Sequence, residues 1–287
     1  MGLRNLLRYL PIERFRNPPP VVAVLRLNGV IGMRGQRGLS LANRASSIER
    51  AFKLRDLAAV ALQVNSPGGS PVQSALIYRR IRQLADEKNV PVIAFAEDVA
   101  ASGGYWLALA GDEIYAEDAS VLGSIGVVSA GFGFSELLRR IGVNRRLYTA
   151  GERKALLDPF LAEDPAGVAR LTAIQQDIHG AFKDLVRQRR GAKLKSEEAT
   201  LFNGDIFTGR TALAHGLIDG IGELRGILRA RFGDKVRFRL IEPEKRRFQL
   251  ALPFGARGRD LAASPGDIAA DLIATVEERL IWGRFGL

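Results

Sequence analysis

The residue types that could do chemistry fall in three short motifs. A serine sits in Ala100-Ala101-Ser102-Gly103-Gly104-Tyr105, 52 positions before a lone lysine, Lys154, in Thr149-Ala150-Gly151-Glu152-Arg153-Lys154. Upstream, Asn65-Ser66-Pro67-Gly68-Gly69 closes an apolar run with a glycine turn. A serine hydroxyl is a weak nucleophile unless a base takes its proton during attack. The two histidines, His179 and His215, carry no motif that pairs them with Ser102, so Lys154 is the best base available. An ordinary lysine titrates near about 10.4 and is charged at neutral pH. Burial penalises the ammonium, and Tyr148, Leu156, Leu157, Pro159 and Phe160 are the apolar neighbours expected to provide it. Ser124, in Leu122-Gly123-Ser124-Ile125-Gly126-Val127, is the candidate hydroxyl for orienting the neutral amine.

Attack on a carbonyl also needs donors preset for the oxygen that becomes negative. Gly103, just after Ser102 at a predicted helix start, offers one backbone N–H. Gly69 is the second candidate, because a glycine pair lets backbone approach a ligand closely. Taken singly, each motif has an ordinary reading: Ser102 as a helix cap, Lys154 as a solvated side chain, Ser124 as a turn residue. Their order and spacing along the chain favour chemistry.

These groups must be carried by a framework. Apolar runs at 21–27, 58–64, 90–96, 113–116, 125–128, 143–148 and 236–241 read as strands. They are continuously apolar more often than alternating, which predicts a sheet covered on both faces in an α/β fold. Helical spacing is expected over 71–87, 102–110, 165–190, 210–216 and 224–231. Ser70, Pro71 and Gln73 mark the first helix as a capping box with proline in its first turn. In the longest helix Val168, Leu171, Ile174, Ile178, Phe182 and Leu185 form the expected buried stripe, with His179 half-buried or at the surface. His215, beside Gly216, reads as a residue at a helix end. The expected division is a basic amphipathic arm over 1–20, a catalytic domain over 21–241, and a linker with an amphipathic tail over 242–287.

Composition narrows the function classes. The 287 residues contain no cysteine, which excludes disulfides, thiolate metal sites and a cysteine nucleophile. The histidines lack metal-ligand spacing, so neither a metal nor another cofactor is expected. The net charge is +11, yet 60–180 holds 11 basic against 14 acidic residues, so the excess lies in the flanks. Those flanks carry no stacking-aromatic or zinc-knuckle motif, which makes nucleic acid an unexpected partner. Peripheral contact with an anionic membrane fits the distribution, as does a merely solvated face. No apolar run reaches the length of a transmembrane helix, and residues 1–16 are too short and charged for a secretory signal.

The set Asn-Ser-Pro-Gly-Gly, Ala-Ala-Ser-Gly-Gly-Tyr, Leu-Gly-Ser-Ile-Gly-Val and a lysine before Pro159-Phe160 resembles the bacterial signal peptide peptidase A (endopeptidase IV) family. The resemblance runs roughly from Val21 to Gly222 and includes Thr208-Gly209-Arg210 and Gly216-Leu217-Ile218-Asp219. It implies a ClpP/crotonase-like fold, with Ser102 as nucleophile, Lys154 as general base and Ser124 as the hydroxyl holding the lysine. It further implies Gly69 and Gly103 as oxyanion donors and hydrophobic peptides, such as remnant signal peptides, as substrates. Homo-oligomers in which neighbouring subunits share a dyad are also implied. This chain looks like the short form, with one catalytic unit. Relatives commonly carry an N-terminal membrane anchor; here the expectation is a bacterial protein in the cytoplasm or peripherally attached to the inner membrane. Two alternatives stay open: a crotonase-type enzyme acting on a coenzyme A thioester, and a catalytically idle membrane scaffold.

Overall fold

Alternate residues of the central strands are apolar on both sides, and this dictates the layering. The computed structural model describes residues 18–33, 38–242, 275–276 and 279–286. Strands β1 (Val21–Asn28), β2 (Leu57–Ser66) and β3 (Val92–Ala101) lie adjacent and parallel. Ala23, Leu25, Val60, Leu62, Val92 and Ala94 face one core, while Val22, Val24, Ala59, Ala61, Ile93 and Phe95 face another. A parallel sheet with both faces apolar must be covered twice, and it is. Helices α1 (Leu41–Phe52), α2 (Pro71–Lys88) and α3 (Gly103–Ala108) bring Ile48, Ile77, Ile81 and Leu107 to the first face. Leu228, on a helix near the end of the domain (Leu224–Phe232), seals the second.

The sheet is mixed α/β with helices on both sides, as the apolar runs predict. Strands β4 (Glu113–Ala116), β5 (Val121–Gly123), β6 (Ile206–Thr208), β7 (Gly220–Ile221) and β8 (Arg237–Ile241) complete it. The order is β6-β5-β3-β2-β1-β8, with β4 beside β3 and β7 beside β4; only β5 and β6 run antiparallel. Strand β3 changes partner along its length, pairing with β4 over Ile93 to Ala96 and with β5 over Val99 to Ala101. This switch brings β5 to the end of β3.

Several local expectations change. Ser70 caps α2 by accepting from the Gln73 N–H, but the Gln73 side chain accepts from the Leu41 N–H at 2.9 Å instead of returning to Ser70. The reciprocal box occurs at Ser40 and Asn43, at the start of α1, a helix the sequence did not mark. The run at 125–128 is not a strand: Ser124 is left-handed (φ +50°), so the chain leaves the sheet after β5. Residues 143–148 find no partner strand and stay exposed, Tyr148 by 89%.

They belong to an arm, residues 129–164, which carries one short helix, α4 (Ser135–Arg140), with no buried residue. It leads into α5 (Pro165–Arg190), 26 residues capped by Asp164. The α5 stripe is buried at Phe182 and Leu185, with Val186 beside them, but Ile174 is exposed and Val168, Leu171 and Ile178 are only half-buried. The first half of this helix extends past the core it was expected to line. Short helices α6 (Glu198–Leu201) and α7 (Gly209–Ala214) precede α8 (Leu224–Phe232). All but residues 18–20 of the amphipathic arm expected over 1–20, all but Glu242 of the linker, and most of the C-terminal tail lie outside the described residues.

Candidate active site

In an open parallel sheet, the segments following the strands gather at one edge, where ligands bind. Here β1 leads to Ile31, β2 to Gly68 and Gly69, β3 to Ser102 and β5 to Ser124. Ile31 ties the first two together: its N–H donates to Gly68 O and its carbonyl accepts from Ser70 N–H, both at 2.8 Å. That pairing skips the Gly69 N–H. A Cβ on Gly69 would lie 2.1 Å from Ile31 O, and one on Gly68 would lie 2.8 Å from Ser102 Cβ and 2.9 Å from Gly103 N. Both glycines also have positive φ, +106° and +137°. Gly68 lets the backbone pass flat against Ser102 and Gly103, and Gly69 lets it pass against Ile31.

Ser102 itself adopts φ +52°, ψ −121°, a conformation that favours glycine. Its N–H donates to Gly123 O at 2.8 Å and its carbonyl accepts from Trp106 N–H at 3.0 Å, so the backbone is held on both sides. Although Ser102 stands at the cap position of α3, its hydroxyl makes no capping hydrogen bond. Ser40, Ser70 and Thr208 all cap their helices with their hydroxyls. The ordinary reading of Ser102 therefore fails on geometry. The half-buried hydroxyl and the first N–H groups of α3 are left for another partner.

Ser124 follows Gly123 directly, so the carbonyl holding Ser102 belongs to the residue before the second candidate hydroxyl. Its own N–H donates to Asp205 O at 2.6 Å, and its carbonyl accepts from Gly126 N–H at 2.9 Å. His179 Nε2, from α5, lies 3.0 Å from Ile125 O. At the end opposite Ser102, α3 is gripped at its C-terminus. Arg82 Nη1 donates to Ala110 O, and Arg189 donates to Leu109 O and Gly111 O. Cations there suit the helix dipole. Tyr105, fully buried, donates its hydroxyl to Leu217 O at 2.7 Å, and burial pushes its pKa well above the usual phenol range.

Lys154 is placed differently. It lies on an exposed turn of the arm, and its amine makes no hydrogen bond or ion pair with any described residue. The expected apolar shell does not form around it within the protomer, since Tyr148, Leu156, Leu157 and Phe160 are themselves exposed. The arm is nevertheless organised. Phe134 stacks on Phe160 at 5.6 Å, Arg145 pairs with Asp158 at 2.9 Å, and a cavity of about 970 Å³ opens among Phe132, Phe134, Leu156, Leu157, Leu161 and Leu171. Within one protomer the structure brings Gly68, Gly69, Ser102, Gly103 and Ser124 to one edge, and leaves Lys154 outside.

The model of peptidase family S49 matches residues 85–231, more than half of the chain. The chain belongs to this family. Along its whole length it is 49% identical to a Brucella abortus protein named Na(+)/H(+) antiporter NhaA, of which it covers 40%. It is 35% identical over 208 residues to the chloroplastic serine protease SPPA of Arabidopsis thaliana, covering 70% of this chain and 29% of that one. Protease 4 of Haemophilus influenzae is 30% identical over 210 residues, or 72% of this chain and 33% of that protein. The chain thus spans about 40% or less of these relatives. No helix among the described residues is long and apolar enough to cross a membrane.

The sequence motifs do not bring Ile31, Gly68, Asp205 or His179 to the candidate site. Gly68 stood in the quoted motif and was passed over for its neighbour. Ile31 and Asp205 act through backbone groups, which no side-chain pattern reveals. The signal for His179 was a polar residue three positions before Phe182, on the same helix face.

Proposed function

We propose that the chain is a serine peptidase in which Ser102 attacks the peptide carbonyl and forms an acyl-enzyme. The observation carrying this is the uncapped Ser102 hydroxyl, held at positive φ at the end of β3 against Gly68. Lys154 takes the hydroxyl proton and returns it to the leaving amine, and water then releases the acyl group by the reverse path. Ser124 orients the amine. The N–H groups of Gly69 and Gly103 stabilise the oxyanion. Because Lys154 is exposed and unpartnered in the protomer, it reaches Ser102 only when copies of the chain assemble or the arm closes.

Hydrophobic peptides, including remnant signal peptides, are the proposed substrates. The exposed apolar residues of the arm that follows the Ser124 turn support this, as does the name of an Enterococcus faecium relative, putative signal peptide peptidase SppA. Peripheral attachment to an anionic membrane is the proposed location; the basic flanks support it, and so does similarity to part of a protein named as an antiporter.

The test is hydrolysis of a leucine-rich fluorogenic peptide together with fluorophosphonate labelling. Ser102→Ala removes both. Lys154→Ala lowers turnover at least about 1,000-fold, since the nucleophile loses its base, while the melting temperature is retained. Normal turnover in Lys154→Ala rules out the dyad, and thioester turnover without peptide cleavage supports the crotonase reading instead.

A further inference from the structure

Helix α5 touches both halves of the site from one face. Phe182 stacks on Trp106 of α3 with ring centroids 4.8 Å apart, which seats the helix that Ser102 opens. Three residues earlier, His179 Nε2 meets Ile125 O at 3.0 Å, next to Ser124. A carbonyl oxygen can only accept, so Nε2 carries the proton and donates. This donor is present in both the neutral Nε2–H tautomer and the imidazolium. The turn it holds is otherwise fixed by Ser124 N–H to Asp205 O and Gly126 N–H to Ser124 O, both through backbone. The Ser124 hydroxyl makes no hydrogen bond among the described residues, so the orientation of the turn sets its direction.

We infer that His179 is a positioning residue: its Nε2–H anchors the Ser124-Ile125-Gly126 turn to α5 and so aims the Ser124 hydroxyl at the amine that serves Ser102. The catalytic part of this inference rests on the proposed peptidase reading; the anchoring part does not. His179 transfers no proton to substrate, so the donor rather than the imidazole matters. The arm bearing Lys154 runs directly into α5, hence one rigid helix relates the elements that carry the base, its orienting hydroxyl and the nucleophile.

The test compares His179→Gln, whose side-chain amide can donate to the same carbonyl, with His179→Leu, which cannot. Both are made in the full chain. His179→Leu is expected to lower kcat about tenfold with KM within about twofold, and His179→Gln to restore kcat to within about threefold of the parent. The pH–rate profile keeps its shape in both. Hydrogen exchange of peptides spanning residues 121–128 reads the anchor without reference to activity. Loss of one hydrogen bond speeds it about fivefold in His179→Leu and leaves His179→Gln near the parent. Unchanged exchange in His179→Leu overturns the inference. So does a His179→Gln variant as slow as His179→Leu, or one with no activity, which would make the imidazole itself the base. A parent that neither cleaves peptide nor labels at Ser102, yet shows the exchange difference, removes the peptidase reading and leaves the anchor standing.

Discussion

A residue forced into a glycine-like conformation costs stability, and Ser102 is such a residue. Its φ of +52° with ψ −121° is disfavoured for any side chain carrying Cβ. It persists because the Gly123 carbonyl, the Trp106 N–H and the close approach of Gly68 leave no alternative. Non-glycine residues held in sparsely populated backbone regions cost about 1–3 kcal/mol each. Ser102→Gly is therefore expected to raise unfolding stability by about 1 kcal/mol while abolishing peptide hydrolysis. Chemical denaturation of the two proteins measures it. A glycine variant less stable than the parent would mean that Ser102 is not strained and that its position has another cause. The serine stood out in sequence through the order and spacing of its motif relative to the glycine turn and the lysine, since Ser-Gly-Gly before a helix is common by itself. Its strain was not, because φ depends on what the neighbouring strand ends impose.

The elements around the site are held by polar locks as well as apolar packing. At the C-terminal end of α5, Arg190, only 3% exposed, donates to Asp219 at 2.6 Å and twice to Gly216 O. Asp219 also accepts from Lys193 and from the Ile114 N–H, joining α5 to β4 and to the turn before β7. Burial alone would raise the Asp219 carboxyl, but the bonds from Arg190, Lys193 and Ile114 outweigh it and hold the pKa below the usual carboxylate range. A carboxyl depressed by folding contributes stability above its unfolded value, near about pH 4, and that contribution is lost as pH falls through the lower folded value. Asp219→Asn leaves a buried guanidinium without its counter-charge, which costs about 3 kcal/mol at neutral pH. Thermal melts should drop by about 6–12 °C at pH 7, and the gap to the parent should narrow at about pH 2. A constant gap across that range would exclude the carboxylate as its source. The continuous apolar runs revealed the central strands and long helices, because burial on both faces leaves a strong pattern. Residues 143–148 misled for a different reason: Val143, Leu147 and Tyr148 flank Asn144, Arg145 and Arg146, the run is broken, and no strand pairs with it. The apolar pattern also misled along the first half of α5, where Val168, Leu171 and Ile178 are only partly covered and Ile174 is exposed.

Those uncovered positions belong with the arm, and together they bear on the whole molecule. Val128, Phe132 and Tyr148 are exposed by 70%, 81% and 89%, and Leu137, Ile141 and Leu156 are exposed beside them. Apolar exposure of this extent over residues 128–164 is what an interaction surface presents, since water is a poor partner for it. The residue proposed as base sits on that exposed arm while the proposed nucleophile sits at the end of β3. If copies of the chain contact one another head to tail, the arm of one protomer can lie over the sheet edge of the next. Burial in such a contact would also supply the apolar setting that Lys154 lacks alone. Mixing two inactive variants discriminates this from closure of the arm on its own protomer. Neither Ser102→Ala nor Lys154→Ala carries a complete dyad, so an intramolecular site gives no activity at any ratio. A shared site in a randomly mixed assembly pairs an intact serine with a neighbour's intact lysine at about one quarter of positions, and activity should recover to about that fraction of the parent. The recovery should fall on dilution, since dissociation separates the two residues. Full activity in a parent protein shown to be monomeric by sedimentation would overturn the shared dyad and place the closing motion within a single chain.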